Sequence, residues 1–165
     1  MNVNEEQLKK FIKDAGLVGP TQLSKIEKEA RSKKQSLGDA LLAEGAVAED
    51  DLRRIEAYVL GIPFVNLKSE KLDFAVLSLI PEPIARNHNI VAYRRQGDEL
   101  EVAMLDTDDL SAIDFVKKKV ALKVLPRLTD TLSIKNSLLQ YRKTLKAEFD
   151  DIIEKEAVEI GRAHV

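Results

Sequence analysis

The stretch 36–67, SLGDALLAEGAVAEDDLRRIEAYVLGIPFVNL, constrains this chain more than any other. Its apolar residues recur at helical spacing and stop at a glycine, twice. Leu37, Ala40, Leu41 and Glu44 share one side of a first short helix. Gly45 stands where that helix should end, because glycine enters the left-handed region without a Cβ clash. Glu49, Asp50 and Asp51 crowd the first turn of the next helix, where carboxylates meet the positive end of the helix dipole. Leu52, Ile55 and Val59 form its apolar stripe. Gly61 and Pro63 end it, and Phe64 to Leu67 read as extended.

The same layout occurs upstream. Leu8 and Leu37 stand 29 residues apart, as do Gly16 and Gly45, Val18 and Val47, Leu23 and Leu52, Ile26 and Ile55, and Glu27 and Glu56. Two degenerate copies of one helix–turn–helix unit, about 8–30 and 37–59, account for this, since neither copy could bury its apolar face alone. The competing account is chance overlap of two leucine-rich amphipathic helices. Asn4 is placed to cap the first helix, with Glu5 and Glu6 in its opening turn and Leu8, Phe11 and Ile12 inward. Pro20 suits the first position of the second, with Leu23, Ile26 and Ala30 inward. The charged run 25–34 reads either as a solvated helix face leading into a polar connection or as a phosphate-binding patch.

From Lys68 the pattern changes, so 1–67 is assigned to a helical subdomain and 68–145 to an α/β subdomain. Phe74, Leu77 and Ile80 begin a short helical passage that Pro81 and Pro83 interrupt, and Pro83 to His88 continues as helix with Ile84 inward. Ile90 to Arg94 and the alternating Leu100, Val102 and Met104 read as an antiparallel hairpin around Gly97 and Asp98. Leu110, Ile113, Phe115 and Val116 supply a helix ending in Lys117, Lys118 and Lys119, cations that favour a helix C-terminus without any ligand. Leu122 to Leu128 is a third strand, laid parallel to the second by a right-handed crossover, and Pro126 suits an edge or strand end. Thr131 to Leu145 forms a last helix with Ile134, Leu138 and Tyr141 on one face. The expected fold is α+β: paired helix–turn–helix units, then a small three-stranded sheet packed with helices.

Residues 146–158 are charged and amphipathic and read as the beginning of a connection to something outside this sequence. Its Phe149, Ile152 and Ile153 are a docking surface or the packing face of a hinge helix. The last seven residues, EIGRAHV, can be encoded by GAG ATC GGA AGA GCA CAC GTC, which from its second base spells a common sequencing adapter. Residues 159–165 are therefore expected to be adapter-derived, with the natural chain continuing beyond Val158.

Composition excludes several functions. A net charge of −2 offers no electrostatic pull towards nucleic acid. The absence of cysteine removes disulfides and thiolate metal sites. No apolar run reaches membrane-spanning length and the start lacks a signal-peptide core, so a cytoplasmic protein without direct membrane insertion is expected. No phosphate-cradling P-loop and no dinucleotide-binding glycine pattern is present, so this stretch is not expected to be an enzyme. His88 reads as a loop or packing histidine. Asp106, Asp108 and Asp109 lack the glycine and terminal glutamate of a calcium loop and read as caps and a polar turn. No metal or cofactor is expected here.

LGDALLAEGAVAEDDL, then LGIPFVNL, IPEPIARNHNIVAY, LEVAMLDTDDLSAIDFVKKK and VLPRLTD occur in an order that resembles the N-terminal domain of the traffic ATPases of type II secretion and type IV pilus assembly. The resemblance spans nearly all of 3–145. It implies docking on an inner-membrane platform protein, a cytoplasmic location peripheral to that membrane through partners, and a downstream hexameric motor that uses ATP and Mg. Its alternative is a cyclic di-GMP-binding sensory module, since some members hold that ligand in paired helix–turn–helix motifs. The same domain type attached to another effector is a third reading. The candidate ligand residues implied are Leu37, Gly38, Leu41, Gly45 and Leu52. Ser36 stands where the motif has arginine and Val59 where it has glutamine. The upstream copy has Gln7, Lys9 and Ala30 in place of arginine, glycine and glutamine. Without a guanidinium fork for phosphate or guanine, the pattern argues against cyclic di-GMP and for a protein-binding role.

Overall fold

The computed structural model describes residues 3–142, 152 and 153. The chain opens with α1 (Glu5–Asp14), α2 (Pro20–Ser32), α3 (Leu37–Ala43) and α4 (Glu49–Leu60). Asn4 Oδ1 accepts from the Gln7 amide at 3.1 Å and caps α1. Ser36 Oγ accepts from the Asp39 amide at 3.2 Å and caps α3. Pro20 begins α2, and the three acids Glu49, Asp50 and Asp51 open α4.

The two helix pairs close on the same backbone geometry. Gly16 and Gly45 have φ of 67° and 66°. The Gly16 amide donates to Lys13 O at 3.1 Å and the Leu17 amide to Ile12 O at 3.4 Å. At positions 29 later, Gly45 donates to Leu42 O at 3.1 Å and Ala46 to Leu41 O at 3.0 Å. This is the glycine-closed helix end that satisfies the last carbonyls. The helices pack around Leu8, Ile12, Val18, Leu23, Ile26, Leu37, Leu41 and Leu52. Phe11 departs from its expected inward place: it is half-buried, and its ring meets Tyr58 edge-on with centroids 4.9 Å apart.

A second core forms around α5 (Phe74–Leu77), α6 (Glu82–His88), β1 (Ile90–Gln96), β2 (Glu99–Met104), α7 (Leu110–Val120), β3 (Lys123–Leu128) and α8 (131–142). The sheet order is β1-β2-β3, with β1 antiparallel and β3 parallel to β2. Gly97, at φ 58°, makes the hairpin turn. A bulge between Ala92 and Arg94 shifts the β1 register at Tyr93. Pro126 opposes Val102 from an edge strand, where its missing N–H costs nothing. α6 starts one residue before the expected Pro83, with Pro81 at its cap, and fully buries Ala85 while Ile84 is half-buried. The Tyr141 hydroxyl is buried between Leu77 O at 3.0 Å and Ile80 O at 2.7 Å, which ties α8 to the turn after α5. Phe149 lies outside the described residues. Ile152 and Ile153 are described as helical and exposed.

The extended exit of the helical half joins the sheet. Val65 N donates to Leu128 O at 2.9 Å and Leu128 N to Pro63 O at 3.0 Å, a parallel bridge at the outer edge of β3. Replacing Gly45 by Ala should cost about 1–2 kcal/mol, because an L side chain is strained at positive φ. Gly16→Ala should cost a similar amount, read as the urea midpoint of each variant against the parent.

Candidate functional site

The five candidate ligand residues fall into two environments. Leu37, Leu41 and Leu52 are 2%, 0% and 0% exposed, inside the helical core. Gly38 is buried beside them, and Gly45 sits on the exposed turn after α3. The reason for glycine at 38 is local. A Cβ there would lie 3.4 Å from Glu56 Oε2 and 3.6 Å from Leu52 Cδ2, so α3 and α4 approach closely at this point. The Leu37 amide donates to Glu5 Oε1 at 3.0 Å, which anchors α1 to the start of α3.

Glu56 is the residue that sequence reasoning missed. It lies on the inner side of α4, only 5% exposed, and its carboxylate pairs with Arg53 one turn earlier. Burial pushes its carboxyl up, and the Arg53 charge offsets this only in part. The upstream copy solves the same position differently. Glu27 pairs with Lys9 at 3.0 Å and with Arg31 at 2.9 Å. Lys9 thus supplies from α1 the cation that Gly38, its counterpart, cannot. A signal was present: Glu27 and Glu56 keep the repeat spacing, which is unusual for a position that could have been solvated.

A second polar cluster joins the helical half to the α/β half. The Glu49 carboxylate accepts from the Thr131 amide, 3.1 Å to each oxygen, and from Thr131 Oγ1 at 2.6 Å, so an α4 acid binds the N-terminus of α8. Arg53 Nε lies 3.7 Å from Glu49 Oε1. The Lys68 ammonium bridges Asp50 Oδ2 and Asp130 Oδ2, each at 3.2 Å. Asp130 and Asp50 hold the Lys68 amine above its ordinary range, and the bond from Lys68 holds the Asp50 carboxyl below its own. Asp130 is 1% exposed and also caps α8 by accepting from the Ser133 amide at 2.9 Å. Ser133 Oγ accepts from the Leu67 amide at 2.9 Å, and Thr129 Oγ1 donates to Val65 O at 2.7 Å. The sequence showed Glu49 and Asp50 only as favourable acids at a helix start. The Thr131 partner of Glu49 lies 82 residues away and the Lys68 partner of Asp50 lies 18 away, and neither follows a spacing rule.

The remaining polar candidates act locally. His88 Nδ1 lies 2.7 Å from Asp109 Oδ2 and links the end of α6 to the start of α7. Asp109 Oδ1 caps α7 through the Ala112 amide at 3.2 Å and accepts from Ser111 Oγ at 2.8 Å. Burial opposes ionisation of Asp109, yet the bonds from His88, Ser111 and Ala112 together hold its carboxyl below the usual range. Asp106 Oδ1 takes the Asp108 amide at 2.9 Å in a tight turn. Among the described residues no three acids or histidines converge on a metal position, and no helix is long and apolar enough to cross a membrane.

Glu49→Ala should cost about 1–3 kcal/mol, since it removes a charged acceptor from the part-buried amide and hydroxyl of Thr131. Differential scanning against the parent checks it. The carboxylates have opposite pH signatures. Asp50, held low when folded, contributes stability above the ordinary carboxylate pKa that is lost as pH falls through its folded value. Glu56, held high, favours folding below its unfolded pKa and loses that contribution as pH rises through the folded value. The melting temperature of Glu56→Gln should therefore gain on the parent as pH rises above the ordinary glutamate range.

A family model described as the MshEN domain matches residues 60–148. The type IV pilus assembly ATPase PilB of Myxococcus xanthus (strain DK1622) is 27% identical over 137 residues, covering 83% of this chain and 24% of that protein. PilB of Thermus thermophilus is 28% identical over 81 residues, covering 49% and 9%. The chain thus spans a quarter or less of the length of these relatives. A structure of MshE with cdg (cyclic di-GMP) superposes with a TM-score of 0.65 at 24% identity, covering 81% of this chain and 97% of that one. The N-terminal domain of XpsE superposes with a TM-score of 0.57 at 18% identity, covering 85% and 96%. These two likenesses speak for the fold. With its own sequence matched over more than half its length, the chain belongs to the MshEN domain family.

Proposed function

We propose that this domain docks a pilus or secretion motor onto a protein of the inner-membrane platform and passes the motor's movement across that contact. The observation that carries the reading is the burial of Leu37, Leu41 and Leu52. Side chains that would pack on purine rings are here committed to the helical core. Ser36, where a guanidinium would be needed, instead caps α3. Glu56 adds a carboxylate beside Gly38 and Leu52, a poor neighbour for a phosphodiester. The polar joint supports the mechanical half of the proposal. Glu49, Asp50 and Lys68 hold the helical half to α8, so a push on one is delivered to the other with little play. On this reading ATP hydrolysis belongs to a downstream motor, and the domain sits on the cytoplasmic side of the membrane through its partner.

A second reading is favoured by one observation: the structural relative MshE is solved with cyclic di-GMP, and the paired helix–turn–helix frame is kept here. The domain would then be a nucleotide sensor whose leucines open to admit the ligand. Calorimetric titration with cyclic di-GMP separates the two. We expect no saturable heat at micromolar ligand, together with equimolar co-purification with the cytoplasmic part of the platform protein from the same genome. Saturable micromolar binding without that partnership would replace docking by sensing.

A further inference from the structure

The outer side of α8 is not finished as a surface helix. Its inner side buries Ile134 and Tyr141, while Leu132 and Leu139, seven residues apart on the opposite side, are 58% and 53% exposed. The outer stripe alternates leucine and cation, Leu132, Lys135, Leu139 and Arg142, at helical spacing, so the exposed leucines are flanked by positive charge. Beside Leu139 the surface is concave. Arg86 of α6 and Lys135, Leu138, Leu139 and Arg142 of α8 line a groove of about 250 Å³, enough for one large apolar side chain. Every charged residue on this groove is a cation. Arg86 is partly neutralised by Glu82, 2.7 Å away on its own helix. Lys135 and Arg142 pair with no carboxylate among the described residues.

We propose that the α6–α8 groove docks an acidic amphipathic helix of a partner protein. An apolar side chain enters between Leu138 and Leu139, and carboxylates one turn to either side meet Lys135 and the planar fork of Arg142. Leu132 extends the apolar track two turns along α8 and sets the direction of the incoming helix. Charge decides the class of partner. A basic helix would face three cations. A membrane surface calls for roughly four to eight clustered basic residues, whereas the groove offers two that pair with no carboxylate among the described residues and is concave rather than flat. The inference goes beyond the docking role proposed above, since it holds whatever the helical half binds.

The test is fluorescence anisotropy with the full chain and a labelled helix-forming peptide bearing leucines at i, i+3 and i+7 flanked by glutamates. The same peptide with lysines for glutamates, and with serines for leucines, serve as comparisons, and vesicles containing phosphatidylglycerol compete. The glutamate–leucine peptide should bind, both altered peptides should fail, and added salt should weaken the complex. Affinity should fall by about tenfold or more in the Lys135→Glu/Arg142→Glu double variant, and also in Leu139→Ser. All three sites are exposed, and circular dichroism verifies that the variants fold. If one does not, the altered peptides and the salt titration on the parent chain still decide. Absence of binding, equal binding of the lysine peptide, unchanged affinity in a folded double variant, or displacement of the peptide by vesicles that themselves bind more tightly would each overturn the proposal.

Discussion

The Lys68 ammonium, held between Asp50 and Asp130, is the interaction on which the arrangement of this chain depends. The molecule has two apolar cores rather than one. The first is built from α1–α4, and the second surrounds the sheet. Apolar burial stabilises each half but is indifferent to direction. Orientation comes from what crosses between them: Lys68, the Glu49 carboxylate on Thr131, and the parallel bridge of 63–65 to Leu128. Hydrogen bonds and ion pairs have preferred angles and distances, and so this seam specifies a geometry that packing alone would leave loose.

The two helix pairs illustrate how one backbone motif can be kept while its interior diverges. The glycine turns agree to within a degree in φ. Inside, one copy compensates its glutamate from a neighbouring helix through Lys9, and the other brings α3 against α4 at Gly38 and compensates within α4 through Arg53. The second arrangement is the tighter one and leaves a carboxylate with little water. The stretch 36–59 thus places the buried Glu56 carboxyl beside Gly38 and Leu52.

Much of the fold was legible because its signals are local. Asn4, Ser36, Gly16, Gly45 and Pro20 act within one turn of where they stand, and the alternation of Leu100, Val102 and Met104 announces a strand without reference to anything distant. The parallel third strand followed from the handedness of the crossover. What could not be read depends on pairs far apart in the chain. Glu49 looks the same whether it decorates a dipole in solvent or grips a helix 82 residues away. Glu56 was hidden by its type, since glutamate is normally assigned to the surface; its repeat spacing from Glu27 was the one trace in the sequence, and the packing of Gly38 against it shows the burial. Phe11 was placed inward by periodicity, yet its half-buried ring is engaged by Tyr58, which is itself 71% exposed.

Among the described residues, three backbone positions outside the glycines adopt positive φ: Lys34 at 52°, Asn89 at 49° and Ala121 at 52°. Each follows a helix. Asparagine tolerates the conformation, but alanine and lysine do so against their own preference. At Ala121 the tension sits between α7 and the first residues of β3, where the chain must reverse quickly to lay a parallel strand. The domain therefore holds a thermodynamic reserve at two helix ends, and a thermostable version of it can be reached by altering those ends while leaving every surface discussed above untouched.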